Sequence, residues 1–179
     1  MSVFTKKVSN YVTIAAKKGQ FTWNSEEVTD KQLEGEIKGI RITYDEGNKK
    51  EKIAPGYILN FDIEGQDEEK TRFYLQINLN SFLGIKTCCH LPNLETVFCA
   101  VAINKKKDEE HTNIFWGFKV PEIGGQITWT KKKFNFDKEK NIFDANNGGV
   151  IHYPLDIIKN WCNTMNIDFK NDTPSMIGK

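Results

Sequence analysis

Three consecutive stretches alternate apolar and polar residues, and that alternation constrains the fold more than any other feature of the chain. In "GIRITY", Ile40, Ile42 and Tyr44 fall on one face, with Arg41 and Thr43 on the other. In "YILNFDI", Tyr57, Leu59, Phe61 and Ile63 oppose Ile58, Asn60 and Asp62. In "RFYLQINLN", Phe73, Leu75, Ile77 and Leu79 oppose Tyr74, Gln76 and Asn78. A period of two is the mark of a strand with one buried face. The polar segments between the runs, "DEGNKKEKIAPG" and "EGQDEEK", are rich in turn formers, so the three strands are expected to be consecutive and antiparallel. Gly35 and Gly39, at the start of the first run, predict a bulge or a strong bend.

The next stretch, "SFLGIKTCCHLPN", breaks the period. Ser81 is an acceptable helix cap and Pro92 a stop, so a short helix is expected between them. Two further strands follow. "ETVFCAVAIN" puts Val97, Cys99, Val101 and Ile103 on one face, and "IFWGFKV" does the same with Ile114, Trp116 and Phe118. "QITWTKKKFNFDKEKNIF" reads as another strand or a hairpin. "PLDIIKNWCNTM" carries a helical stripe of Leu155, Ile158, Trp161, Cys162 and Met165, with Pro154 in the favourable first position. Residues 1–32 have no strong period, and Trp23 is their one large anchor.

The order of elements points to a mainly β protein. It predicts an OB-fold-like, five-stranded antiparallel barrel with a short helix between strands 3 and 4, additional strands and a C-terminal helix. A β-sandwich or another small barrel has the same strand count. The expected divisions are an N-terminal extension over 1–32, the barrel over 33–153, the helix over 154–167 and a flexible tail over 168–179.

With 179 residues the chain can bury one sizeable core. No apolar run approaches the ~20 residues of a membrane helix. The opening "MSVFTKKVSN" has no apolar stretch of the secretory kind, so a cytoplasmic compartment is expected. The net charge of +1 hides local asymmetry. Lysines gather in the first twenty residues and again after residue 130, while acids gather near Glu26–Glu36 and in "DIEGQDEEK". Four cysteines, two of them adjacent, do not resemble a disulfide framework.

Catalytic signatures are missing from the sequence. It contains no Gly-rich phosphate loop, no G-x-S-x-G and no H-E-x-x-H, and its three histidines are far apart. Cys88, Cys89, His90 and Cys99 are the one set of zinc-type ligands, but their spacing is unlike paired C-x-x-C elements, and Cys99 sits on an apolar strand face. No enzyme activity, metal or cofactor is therefore expected.

Aromatics on the polar side of strands, beside Lys or Arg, are the remaining signal. Single-strand binders use such aromatics as platforms for bases and such cations for phosphates. Trp129, Lys131 and Lys133 share one parity in "TWTKKKFNFDK", opposite Lys132, Phe134 and Phe136. Tyr74, Phe115, Arg41 and Trp23 are further candidates, with Gly117 leaving room beside Phe115 for a flat ligand.

From Leu33 to Phe136 the chain resembles the OB-fold single-stranded-DNA-binding proteins of bacteriophages. The resemblance rests on "GEIKGIRITY", "YILNFDI", "RFYLQINL", the helix closing on "LPN", "TVFCAVAI", "IFWGFKV" and "QITWTKKKF". It implies sequence-independent binding of single-stranded DNA in replication or recombination in the host cytoplasm, with replication or recombination proteins as partners. The alternative is a non-enzymatic β-barrel assembly module, in a virion or another complex, that forms homo-oligomers through Trp161 and the terminal helix. No membrane partner is expected on either reading.

Overall fold

The computed structural model describes residues 10–15, 17–47, 49–50, 56–79, 81–120, 125–131 and 152–172. The protein is mainly β, built on one curled sheet that forms an open half-barrel with a few helices. Its strands are β1 (Asn10–Ala15), β2 (Gln20–Trp23), β3 (Glu26–Glu27), β4 (Gln32–Asp45), β5 (Gly56–Gly65), β6 (Arg72–Asn78), β7 (Phe98–Asn104), β8 (Asn113–Lys119), β9 (Ile127–Trp129) and β10 (Asp168–Asn171). Two helices, α1 (Phe82–His90) and α2 (His152–Met165), and a 3-10 turn at Leu91–Asn93 complete the described elements. The sheet runs β3-β2-β1-β6-β5-β4-β7-β8-β9, with β10 also paired to β4.

The long strand β4 organises this arrangement. Ile37 and Ile40 are both buried although three positions separate them, which an unbroken strand forbids. The ladder to β5 accordingly slips between Ile37 and Gly39, the predicted bulge. Before it, Gln32–Glu36 pair with β7; after it, Gly39–Ile42 pair in parallel with β10. One strand thus serves two diverging edges, and the sheet curls. Gly39 allows the close approach, because a Cβ there would lie 3.1 Å from the Asp168 carbonyl oxygen.

The inward residues of the three alternating runs are buried as their parity predicts. Trp116 stands in the middle of the core, with Phe61 against it at 5.0 Å between ring centroids. Its indole N–H donates to Thr87 Oγ1 of α1 at 3.0 Å, so the one polar atom of the ring is satisfied. Helix α1 lies between β6 and β7 as expected, and Ser81 Oγ accepts the Gly84 N–H at 3.2 Å. Caps of this kind stabilise by about 1 kcal/mol.

Several expectations need correction. Among the described residues ten strands, not five, make up the sheet, because β1, β2, β3, β9 and β10 join the alternating ones. The boundary expected at 32/33 falls inside one continuous sheet: β1 pairs in parallel with β6, which local periodicity could not reveal. The turn after β1 is tied to the far side of the curl. Thr112 Oγ1 accepts the Gly19 N–H at 2.8 Å and donates to the Ala15 carbonyl at 2.6 Å. The segment expected to be a flexible tail from 168 begins with β10. Helix α2 starts two residues before Pro154. Trp161 is only 4% exposed and donates to the Leu94 carbonyl at 2.9 Å, so its indole is part of this chain's own core and not a docking surface. Among the described residues no helix is long and apolar enough to cross a membrane.

Candidate nucleic-acid interface

On the outward side of β8 and β9 the structure brings three of the predicted residues together. Phe115 is 37% exposed and Trp129 is 44% exposed, against the usual preference for burying such rings. Gly117 pairs with Trp129. The space expected beside Gly117 for a flat ligand is instead filled from β9: a Cβ there would meet Ile127 Cγ2 at 2.7 Å, the Thr128 oxygen at 3.0 Å and the Trp129 ring at 3.0 Å. The missing side chain therefore seats the indole.

The end of β9 is anchored from below. The Thr130 N–H donates to the Trp116 carbonyl at 2.9 Å, and its hydroxyl donates to the same oxygen at 2.9 Å. With that proton committed, the 2.7 Å contact between His90 Nδ1 and Thr130 Oγ1 requires His90 to carry its hydrogen on Nδ1. Asn93 Nδ2 donates to the Lys131 carbonyl at 2.7 Å. Continued by one step past Thr130, the register carries exposed Lys131 level with Phe115. From α1, Lys86 Nζ lies 4.6 Å from the Phe115 centroid, within cation–π range. Lys133, Phe134 and Phe136 lie outside the described residues.

Tyr74 and Arg41 stand on a different surface, the outward face of β1, β6, β5, β4 and β10. Tyr74 stacks on Tyr11 at 5.9 Å and 26°. Arg72 holds Asp62 in a two-point pair, Nε to Oδ1 at 3.0 Å and Nη2 to Oδ2 at 2.5 Å. The bond to Asp62 raises the guanidinium further above its ordinary value. Lys38 is raised in the same direction by its hydrogen bond to Glu36. Arg41 pairs with Asp172 just beyond β10. Trp23 joins neither surface. It packs against the core, with Phe73 at 5.4 Å.

Known protein families, curated proteins and solved structures gave no match to this chain.

Among the described residues no three His, Cys, Asp or Glu side chains come together as a metal-binding group. His90 is committed to Thr130, and all four thiols are buried. Burial pushes the Cys99 and Cys162 thiols up to about 12 and raises Cys88 as well, which disfavours the thiolate form.

Sequence reasoning missed Tyr11 and Lys86. Tyr11 was legible in principle, since "NYVTIA" alternates Tyr11 and Thr13 against Val12 and Ile14. Lys86 was not, because its approach to Phe115 depends on how α1 packs against β8.

Proposed function

We propose that the protein binds single-stranded DNA without sequence preference, by stacking bases on aromatics and neutralising phosphates with lysines. The observation that carries this reading is the exposed Phe115–Trp129 pair with Lys86 and Lys131 beside it. Stacking on such rings contributes about 1–3 kcal/mol per base. The strand order adds support. Three antiparallel strands, the first of them bulged and shared by two neighbours, then a helix and two more strands follow the order of an OB-fold, here extended by β1–β3, β9 and β10. The setting implied by the phage-protein resemblance is DNA replication or recombination in an infected cell, and the role is binding, not catalysis.

Tryptophan fluorescence tests the proposal. Of the four tryptophans, Trp116 and Trp161 are buried and Trp23 packs on the core, so quenching by an oligothymidylate reports chiefly on Trp129. Quenching that weakens steeply with salt is expected. Absence of both quenching and a band shift at low salt would sink the reading and favour the β-barrel assembly module, for which exposed Phe82 on α1 is the available apolar contact.

A further inference from the structure

The face that carries Tyr74 holds a second arrangement with its own chemistry. Tyr11 is 43% exposed, and its ring and that of Tyr74 stack on the outward side of adjacent strands. Two residues along β6 is Gln76, whose amide orientation is dictated by its neighbour. Asn60 is only 6% exposed although it lies on the outward face. Its Nδ2 lies 3.1 Å from the Arg41 carbonyl oxygen, 3.1 Å from Thr43 Oγ1 and 3.3 Å from the Ile58 carbonyl oxygen. Two of these partners can only accept, so the Asn60 nitrogen must face them and its Oδ1 must accept. The donor to that oxygen is Gln76 Nε2 at 2.8 Å.

The chain of bonds therefore fixes the Gln76 carboxamide and leaves its Oε1 with no hydrogen-bond partner among the described residues. Gln76 also lines a groove of about 770 Å³ together with Thr13, Thr43, Ile58 and Asn78. An aromatic platform, an oriented acceptor and adjoining space occur within two residues of one strand. Three cations near the platform are already engaged, Arg72 by Asp62, Arg41 by Asp172 and Lys38 by Glu36, and Lys170, which lines a pocket with Tyr74, is the one without an ion pair among the described residues. With most of its positive charge matched, this surface is better suited to a base than to a phosphate.

We infer that Tyr11, Tyr74 and Gln76 form a subsite for one unpaired base, in which the ring lies on the tyrosines and its Watson–Crick edge donates to Gln76 Oε1. The inference rests on the single-stranded-DNA reading and adds to it a means of rejecting duplex. Adenine, cytosine, guanine and thymine each offer at least one N–H on that edge when unpaired, and none when paired. An acceptor there is indifferent to sequence but not to base pairing.

The test uses the full chain, an oligothymidylate, and the same oligomer with every thymine N3 methylated, which removes the one donor on that edge. Wild type should bind the methylated oligomer roughly two- to tenfold more weakly, the contribution of one net hydrogen bond. Because the bond involves no counterion, that gap should stay constant as salt lowers both affinities. Gln76→Leu should close the gap, and Trp129→Ala should lower both affinities while keeping it. Gln76→Met serves in place of Leu where the branched side chain perturbs folding. Equal binding of the two oligomers by wild type, or a gap that survives in a folded Gln76 variant, overturns the subsite. Binding of neither oligomer at low salt instead overturns the single-stranded-DNA reading itself.

Discussion

The two outward surfaces of the sheet use aromatics in opposite company. On β8 and β9, Phe115 and Trp129 have lysines beside them, and Lys131 makes no ion pair among the described residues. On β1, β6 and β5, Tyr11 and Tyr74 have amides beside them, and the two arginines nearby, Arg72 and Arg41, are each matched with a carboxylate. The first surface combines stacking with charge and is expected to respond to salt. The second combines stacking with a fixed hydrogen-bond acceptor and is expected to respond to the state of the base edge. An aromatic on the polar face of a strand is thus an incomplete description of a binding platform, because its neighbours decide which part of a nucleotide it suits.

The largest separation of the two surfaces should come from Gly117→Ala. The new methyl meets Ile127, the Thr128 carbonyl and the Trp129 ring within about 3 Å, so β9 must shift away from β8. Overpacking of this kind costs about 1–3 kcal/mol of stability, measurable by urea unfolding. It should also displace Trp129 and weaken DNA binding, while the difference between methylated and unmethylated oligomers on the tyrosine surface persists. Trp129→Ala should come next. It is expected to weaken binding by about 1–3 kcal/mol while costing about 1 kcal/mol of stability or less, since the ring lies on the sheet surface and is 44% exposed. Loss of folding in this variant would show that the indole contributes to the core instead of offering a platform.

The core strands were legible because each buries a single face, so parity alone sorted Phe73, Leu75 and Ile77 from Tyr74 and Gln76. The bulge was legible through Gly35 and Gly39, whose neighbours leave little room for a side chain. What escaped was set by distant partners. The parallel pairing of β1 with β6 joins residues more than sixty positions apart, and β10 joins β4 across more than a hundred. Short segments whose own pattern is too brief to read become strands when an edge is waiting for them. The same limit applied to the site. Exposure of Trp129 and Phe115 followed from parity, but the packing of Trp23 on the core, the capture of Arg41 by Asp172 and the filling of the Gly117 space by β9 are facts of tertiary packing.

Charge removal gives a finer contrast. Lys131→Ala should reduce the slope of log affinity against log salt by roughly 0.7, the contribution of one phosphate contact on a single strand. Arg72→Ala should leave the slope unchanged, because Asp62 already occupies the guanidinium on two sides. A slope change of similar size in both variants would erase the distinction between a charge-bearing surface and a base-reading one.

The smallest expected effect tests whether ion pairing is what keeps the tyrosine surface from acting on phosphates. Asp172 lies at the end of β10 and holds Arg41, and both side chains are substantially exposed. Exposed pairs of this kind contribute about 0–1 kcal/mol, so Asp172→Asn should leave the melting temperature nearly unchanged. The Asp172 N–H bond to the Ile42 carbonyl at 2.9 Å survives the substitution, so the strand should stay in place. Removing the carboxylate leaves the Arg41 guanidinium available beside Tyr74 and Lys170. If pairing alone withholds it, affinity for oligothymidylate should rise and the salt slope should steepen by up to roughly 0.7. An unchanged slope would mean that position, and not pairing, keeps Arg41 from the DNA backbone, because a guanidinium within reach of a phosphate has no other reason to leave counterions undisturbed.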